Sequence, residues 1–174
     1  GIYTDTFMER LVPMMNQQKS TTVIVDSRSY AERFSGTTRK INEEEARRYL
    51  SALRQRRGSS PDGDASGNPG GDGGGSEALG ETKRGAGIQT VVRELTEVWK
   101  APLVVTRGEN GSIVAEGGRI ATIPGIQATY PLDTVGAGDT LLAGTALGVA
   151  VGLDLEQAVH IGNLAASITV KKLH

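Results

Sequence analysis

The sequence predicts an α/β chain built on a largely parallel β-sheet covered by helices on both faces, and three observations carry that reading. Short apolar, β-branched runs, TTVIVD at 21–26 and LVVT at 103–106, alternate with amphipathic helical stretches. Both runs are nearly continuous in apolar character, as strands buried on two sides are. A Gly-Gly tip at 117–118 joins two more short runs into a hairpin.

Taken in order, residues 5–17 (DTFMERLVPMMNQ) place Phe7, Met8, Leu11, Val12, Met14 and Met15 on a broad helical face, with Pro13 as a blemish or kink. TTVIVD is a strand that ends in an acid. Residues 43–57 (EEEARRYLSALRQRR) carry Ala46, Tyr49, Leu50 and Leu53 at i, i+3, i+4 and i+7, the stripe of an amphipathic helix. Residues 88–99 (IQTVVRELTEVW) repeat the pattern with Ile88, Val91, Val92, Leu95, Val98 and Trp99. LVVT follows as a second buried strand, and SIVAE-GG-RIATI (112–123) is the hairpin. The stretch LLAGTALGVAV after Thr140 is apolar almost all round and predicts a buried helix. Asp154 then caps a last helix, with Gln157 completing a capping box. Few strongly apolar strands are visible for so many one-sided helices.

Residues 58–87 stand apart. They hold 11 of the 24 glycines and no aromatic or β-branched aliphatic side chain. Such a segment buries too little apolar area to offset its ordering entropy, so it reads as a flexible Gly/Ser/Asp-rich insertion within a single unit spanning 1–174. Loop closure grows only logarithmically with length, so a folded unit carries it at small cost.

Bulk properties narrow the function classes. At 174 residues the chain has the size of one ordinary domain. A net charge of −1 offers no electrostatic footprint for nucleic acid or an anionic membrane. With no cysteine, thiolate chemistry and Cys-based zinc sites are excluded, and His160 and His174 are too few and too distant for a His-rich centre. No apolar run reaches the roughly 20 residues a membrane helix needs. A cytoplasmic protein is the expectation.

Chemistry concentrates at DTVGAGDT (133–140). A Gly-rich turn opening a helix aims backbone N–H groups and the positive end of the helix dipole at one point. Gly136 and Gly138 permit close approach of an anion. Asp139 would repel that anion, so it serves better as a base facing a hydroxyl, or else merely caps the helix. There is no G-x-x-x-x-G-K-[ST], and Leu141 stands where a dinucleotide fingerprint has its third glycine, which demotes both P-loop and Rossmann readings.

DTVGAGD resembles the C-terminal signature of the PfkB (ribokinase-like) carbohydrate kinases, D-T-x-G-A-G-D, at every fixed position. KINEEEA (40–46) resembles the family's N-x-x-E motif through Asn42 and Glu45, and VVTRGENG (104–111) its T-x-G-x-x-G turn through Thr106, Gly108 and Gly111. VIVDSR (23–28) fits the strand that precedes N-x-x-E. The resemblance implies ATP-dependent phosphorylation of a sugar or sugar-phosphate hydroxyl. It makes Asp139 the catalytic base and Gly136, Ala137 and Gly138 the anion hole. It implies that Asn42 and Glu45 order Mg²⁺ through its waters, though both also fit a helix cap. Thr106, Gly108 and Gly111 would shape the ATP site, with Asn163 at the adenine pocket and Arg28 in reach of a phosphate. Asp133 and the Val135 carbonyl would hold a monovalent cation such as K⁺, as in some members.

Members of that family are considerably longer. The expectation is therefore a partial ribokinase-like fold, lacking the N-terminal half and the lid that grip the sugar. A homodimer or a separate N-terminal segment would complete it, and the isolated chain would be marginal in stability. The other readings are a non-catalytic nucleotide- or phosphate-binding module on the same fold and, more remotely, a dinucleotide-binding oxidoreductase.

Overall fold

The computed structural model describes residues 3–18, 20–58, 87–126 and 135–170. The insertion therefore lies outside the described residues except at its two ends, and so does Asp133. The elements run α1 (Asp5–Gln17), β1 (Ile24–Asp26), β2 (Thr38–Asn42), α2 (Glu43–Gly58), α3 (Ile88–Trp99), β3 (Leu103–Thr106), β4 (Ser112–Glu116), β5 (Arg119–Ile123), α4 (Ala137–Ala150) and α5 (Leu155–Val170). The strands form one sheet in the order β1-β2-β3-β4-β5. Pairing is parallel across β1, β2 and β3, then antiparallel through the hairpin that the Gly-Gly tip predicts.

The strand β2 escapes the sequence pattern. Its residues TRKIN hold two cations and one large aliphatic, yet Arg39 and Lys40 are 1% and 8% exposed. Each cation is buried by a specific partner. The Arg39 guanidinium stacks 4.7 Å from the centre of the Trp99 ring, and its Nε donates to the Ala31 carbonyl at 2.6 Å. Burial pulls the Arg39 pKa down to about 10. Lys40 pairs with Asp26 on the opposite face of the sheet.

That alternation sorts the sheet into two faces. On one, Ile41, Leu103, Val105, Ile113 and Ala115 pack against α2 and α3 through Tyr49, Leu50, Val92 and Leu95. Fully burying side chains of this size stabilises by about 1.5–3 kcal/mol each. On the other, Val104, Val114 and Ile123 meet Leu155 and Val159 of α5. The α1 helix closes the β1 side through Met8, Val12, Val25 and Phe34, and it passes through Pro13 without ending.

One expectation needs correction. The apolar run after Thr140 is not buried all round: Leu147 is 64% exposed on α4, and Val151 just beyond is 70% exposed. Leu141, Thr145 and Gly148 are the buried residues of α4, on the side that packs against α5. An all-round apolar pattern states how many faces could be covered, not how many this chain covers. The contact itself is close. A Cβ on Gly162 would sit 2.4 Å from the Leu141 carbonyl oxygen, and one on Gly144 would sit 2.8 Å from the Gly162 Cα. Glycine at both positions lets the two backbones touch.

Candidate functional site

The three parallel strands end together in Asp26, Asn42 and Thr106. In parallel α/β sheets the carboxyl ends of the strands are where ligands bind. Register explains the composition there. Asp26 lies beside Lys40, and Lys40 beside Val104, on one row of the sheet face that α4 and α5 cover. One step further along the same face, Asn42 lies beside Thr106, and Thr106 beside Ser112. Each row is polar toward β1, so the face ends in a polar corner rather than a continuation of the core.

The N-terminus of α4 closes that corner from above. A cleft of about 630 Å³ results, walled by the strand-end residues on one side and by Gly136, Gly138 and Asp139 on the other. Arg28 and Glu45 complete its rim.

Gly136 sits at φ +79° and turns the chain into α4. Open space surrounds it, so glycine is required there for conformation, and an L-residue would cost roughly 1–2 kcal/mol. At Gly138 a Cβ would stand 3.0 Å from the Lys40 ammonium, so the turn and that side-chain tip lie close together. The first backbone bond of the helix runs from Thr140 N–H to the Gly136 carbonyl at 2.9 Å. The amides of Ala137, Gly138 and Asp139 therefore have no intrahelical acceptor, the donor arrangement that an anion can use. The Asp139 side chain is exposed and makes no hydrogen bond or ion pair among the described residues, so it does not cap its own helix.

Asn42 and Glu45 form the capping box that their spacing predicts. The Asn42 Oδ1 accepts from the Glu45 amide at 2.8 Å, and Glu45 Oε2 accepts from the Asn42 amide at 2.9 Å. Glu45 is nevertheless 5% exposed at the cleft margin, so the cap also fixes a carboxylate at the site. Next to it, hydrogen bonds from Arg47 and then Arg107 hold the Glu43 carboxyl below the usual carboxylate range, against the opposing effect of burial.

The remaining predicted residues divide between the cleft wall and positions off it. Thr106 faces it, with its hydroxyl 3.5 Å from the Ile41 carbonyl, but Gly108 lies in the exposed turn after β3. Gly111, at φ +80°, would place a Cβ 2.1 Å from the Ile123 carbonyl, so it lets the β3–β4 turn lie against the end of β5. Asn163 accepts from Ser112 Oγ at 3.3 Å and donates to the Pro124 carbonyl at 3.2 Å, which ties α5 to the same strand ends.

Sequence reasoning passed over two wall residues, Asp26 and Lys40. The Lys40 Nζ lies 2.6 Å from Asp26 Oδ2. A period-two reading of TRKIN would have found Lys40, since it shares a strand face with Asn42.

Comparison with known proteins settles the lineage. The family model for pfkB family carbohydrate kinases matches residues 76–174, more than half of the chain. The chain belongs to that family. Among curated relatives, this pfkB-family chain is 44% identical over 71 residues to the bifunctional protein HldE of Pseudomonas putida (strain W619), covering 41% of this chain and 15% of that protein. It is 35% identical over 82 residues to ribokinase of Bacillus subtilis (strain 168), covering 47% of this chain and 28% of that enzyme. Among solved structures, ribokinase of Arabidopsis thaliana complexed with ribose and ATP superposes with a TM-score of 0.66 at 18% identity. That superposition covers 98% of this chain and 48% of the plant enzyme. Ribokinase of Thermotoga maritima gives 0.62 at 18% identity, covering 92% of this chain and 46% of that one. These likenesses establish a ribokinase-type α/β fold. The chain spans about half the length of those structures and less than a third of the curated relatives it matches. Among the described residues, no helix is long and apolar enough to cross a membrane.

Proposed function

We propose that the cleft binds ATP and that the chain carries the nucleotide side and the base of an ATP-dependent kinase acting on a sugar or sugar-phosphate hydroxyl. The observation that carries this reading is the convergence of an exposed carboxylate, Asp139, with three amides free of intrahelical acceptors on one wall of a cleft at the strand ends.

Phosphoryl transfer asks mainly for positioning and charge stabilisation. Asp139 takes the proton of the attacking hydroxyl. The hydroxyl oxygen bonds to the γ-phosphorus while the bond from phosphorus to the β,γ-bridging oxygen breaks, and that electron pair leaves with ADP. The amides of Ala137 and Gly138 donate to the phosphoryl oxygens as charge shifts among them. Thr106 and Arg28 lie on the same cleft, in reach of the nucleotide phosphates.

Mg²⁺ fits this donor set as an ion held through its waters. Asn42 and Glu45 spend one oxygen each on the helix cap, and the described residues hold no cluster of three acidic or imidazole side chains that would cage a bare ion. A hard cation that keeps several waters and leans on substrate phosphates suits such a site. When bound, it would supply positive charge to offset that of the phosphate oxygens. A monovalent cation at Asp133 is proposed on the motif alone.

A second reading has one observation in its favour. The cleft and its free helix amides would serve a non-catalytic nucleotide-binding module as well, since binding needs no base. Assaying ADP release from Mg·ATP across a panel of aldoses, ketoses and their phosphates separates the two. The kinase reading predicts release that depends on at least one acceptor and saturates with it. Saturable ATP binding with no acceptor-dependent release contradicts it and favours the module.

A further inference from the structure

We propose that Lys40 is a further catalytic residue, its ammonium binding the γ-phosphoryl oxygens before and during transfer. The inference rests on the ATP reading of the cleft and deepens it. Three observations place the charge there. Lys40 is more than nine-tenths buried, which an amine does not tolerate without a specific partner. Its Nζ reaches the underside of the α4 turn, where a Cβ built on Gly138 would stand 3.0 Å away. And an ammonium has three N–H donors, of which Asp26 takes one at 2.6 Å; the others have no partner among the described residues.

A purely structural ion pair would not explain this placement. Asp26 alone neutralises Lys40, and such a pair could sit anywhere on the sheet edge at less desolvation cost. Here the cation lies under three amides that point at the same volume, and the cleft wall beside it is Thr106 and Asp139. An anion in the cradle would thus meet backbone dipoles from the helix and one full positive charge from the sheet. The Asp26 carboxylate holds that charge while the site is free of nucleotide. In the transfer step the acceptor oxygen bonds to phosphorus, the bridging oxygen departs with its electron pair on ADP, and the hydroxyl proton passes to Asp139. Lys40 keeps its protons throughout and offsets charge on the phosphoryl group in flight.

The test is calorimetric titration of wild type, Lys40→Met and Lys40→Arg with Mg·ATP and with Mg·ADP, each protein first checked for a cooperative melt. Wild type is expected to prefer ATP. Lys40→Met should weaken ATP by about 10- to 100-fold, the range for a hydrogen bond to a charged group, and ADP by less than about threefold. Lys40→Arg should recover most of the ATP preference. The ratio of the two affinities is the decisive readout, because a merely structural lysine would weaken both nucleotides together. If Lys40→Met fails to fold, Lys40→Gln, which keeps length and polarity, takes its place. A Met or Gln variant with the wild-type ATP:ADP ratio overturns the proposal and leaves the ATP reading standing, as does a wild type that binds both nucleotides equally. A folded wild type that binds neither overturns both.

Discussion

Asp139→Asn is expected to slow phosphoryl transfer toward the upper end of the roughly 10²–10⁴-fold range for losing a general base, with Mg·ATP affinity changed by less than about threefold. Asparagine keeps the size and hydrogen-bonding shape of the side chain, so the cleft and the α4 turn stay intact. What is lost is the ability to accept a proton. The side chain is exposed, and no hydrogen bond or ion pair among the described residues depends on its charge. The loss should therefore fall on kcat alone. The variant and wild type are compared by ADP release with the acceptor that the sugar panel identifies. Retention of more than a tenth of the wild-type kcat would remove Asp139 from the role of base.

The second large effect is structural. Gly162→Ala drives a Cβ to 2.4 Å from the Leu141 carbonyl oxygen and 2.6 Å from Thr145 Oγ1, neither of which is the flexible end of a long side chain. Overpacking of this kind costs about 1–3 kcal/mol, and a backbone obstacle places it at the upper end. A loss of about 3 kcal/mol lowers the melting temperature by roughly 10 °C in a protein of this size. The consequence reaches the site, since α4 carries the cradle at its N-terminus and rests on α5 through this contact. Nucleotide affinity should fall along with stability. Gly87→Ala is the control, with nothing within 4 Å and φ at −53°; as the N-cap of α3 it should cost no more than about 1 kcal/mol. Equal melting temperatures for the two variants would show that the α4–α5 contact yields easily.

Much of this was legible in the chain because local signals agreed with the fold. The hairpin and α3 fall where Gly117-Gly118 and the i, i+3, i+4 stripe of 88–99 put them. Both capping boxes, Asn42 with Glu45 and Asp154 with Gln157, form their reciprocal bonds. The strand β2 was illegible for a physical reason. Arg39 and Lys40 are buried by partners distant in sequence, Trp99 and Asp26, and no pattern within TRKIN announces them. Lys40 was missed for another reason, since its period-two alternation with Asn42 puts both on one strand face. The exposed side of α4 was misread because apolar character was taken as burial, when α4 buries one side against α5 and leaves Leu147 in solvent. The three glycines of the TRGENG and GAGD motifs that the geometry explains serve different ends. Gly111 admits a neighbouring strand, Gly136 supplies a left-handed turn, and Gly138 lies close to an ammonium. A motif read as letters cannot separate these uses.

The central claim is that this chain holds an ATP site at the N-terminus of α4. It is tested most directly by calorimetric titration of the wild-type chain with Mg·ATP, with thermal unfolding followed in parallel. The account predicts one saturable site and a melting temperature that climbs with nucleotide, by an amount equivalent to about 2.7 kcal/mol at a hundred times Kd. A chain that melts cooperatively yet shows neither binding heat nor a shift at millimolar Mg·ATP would contradict it.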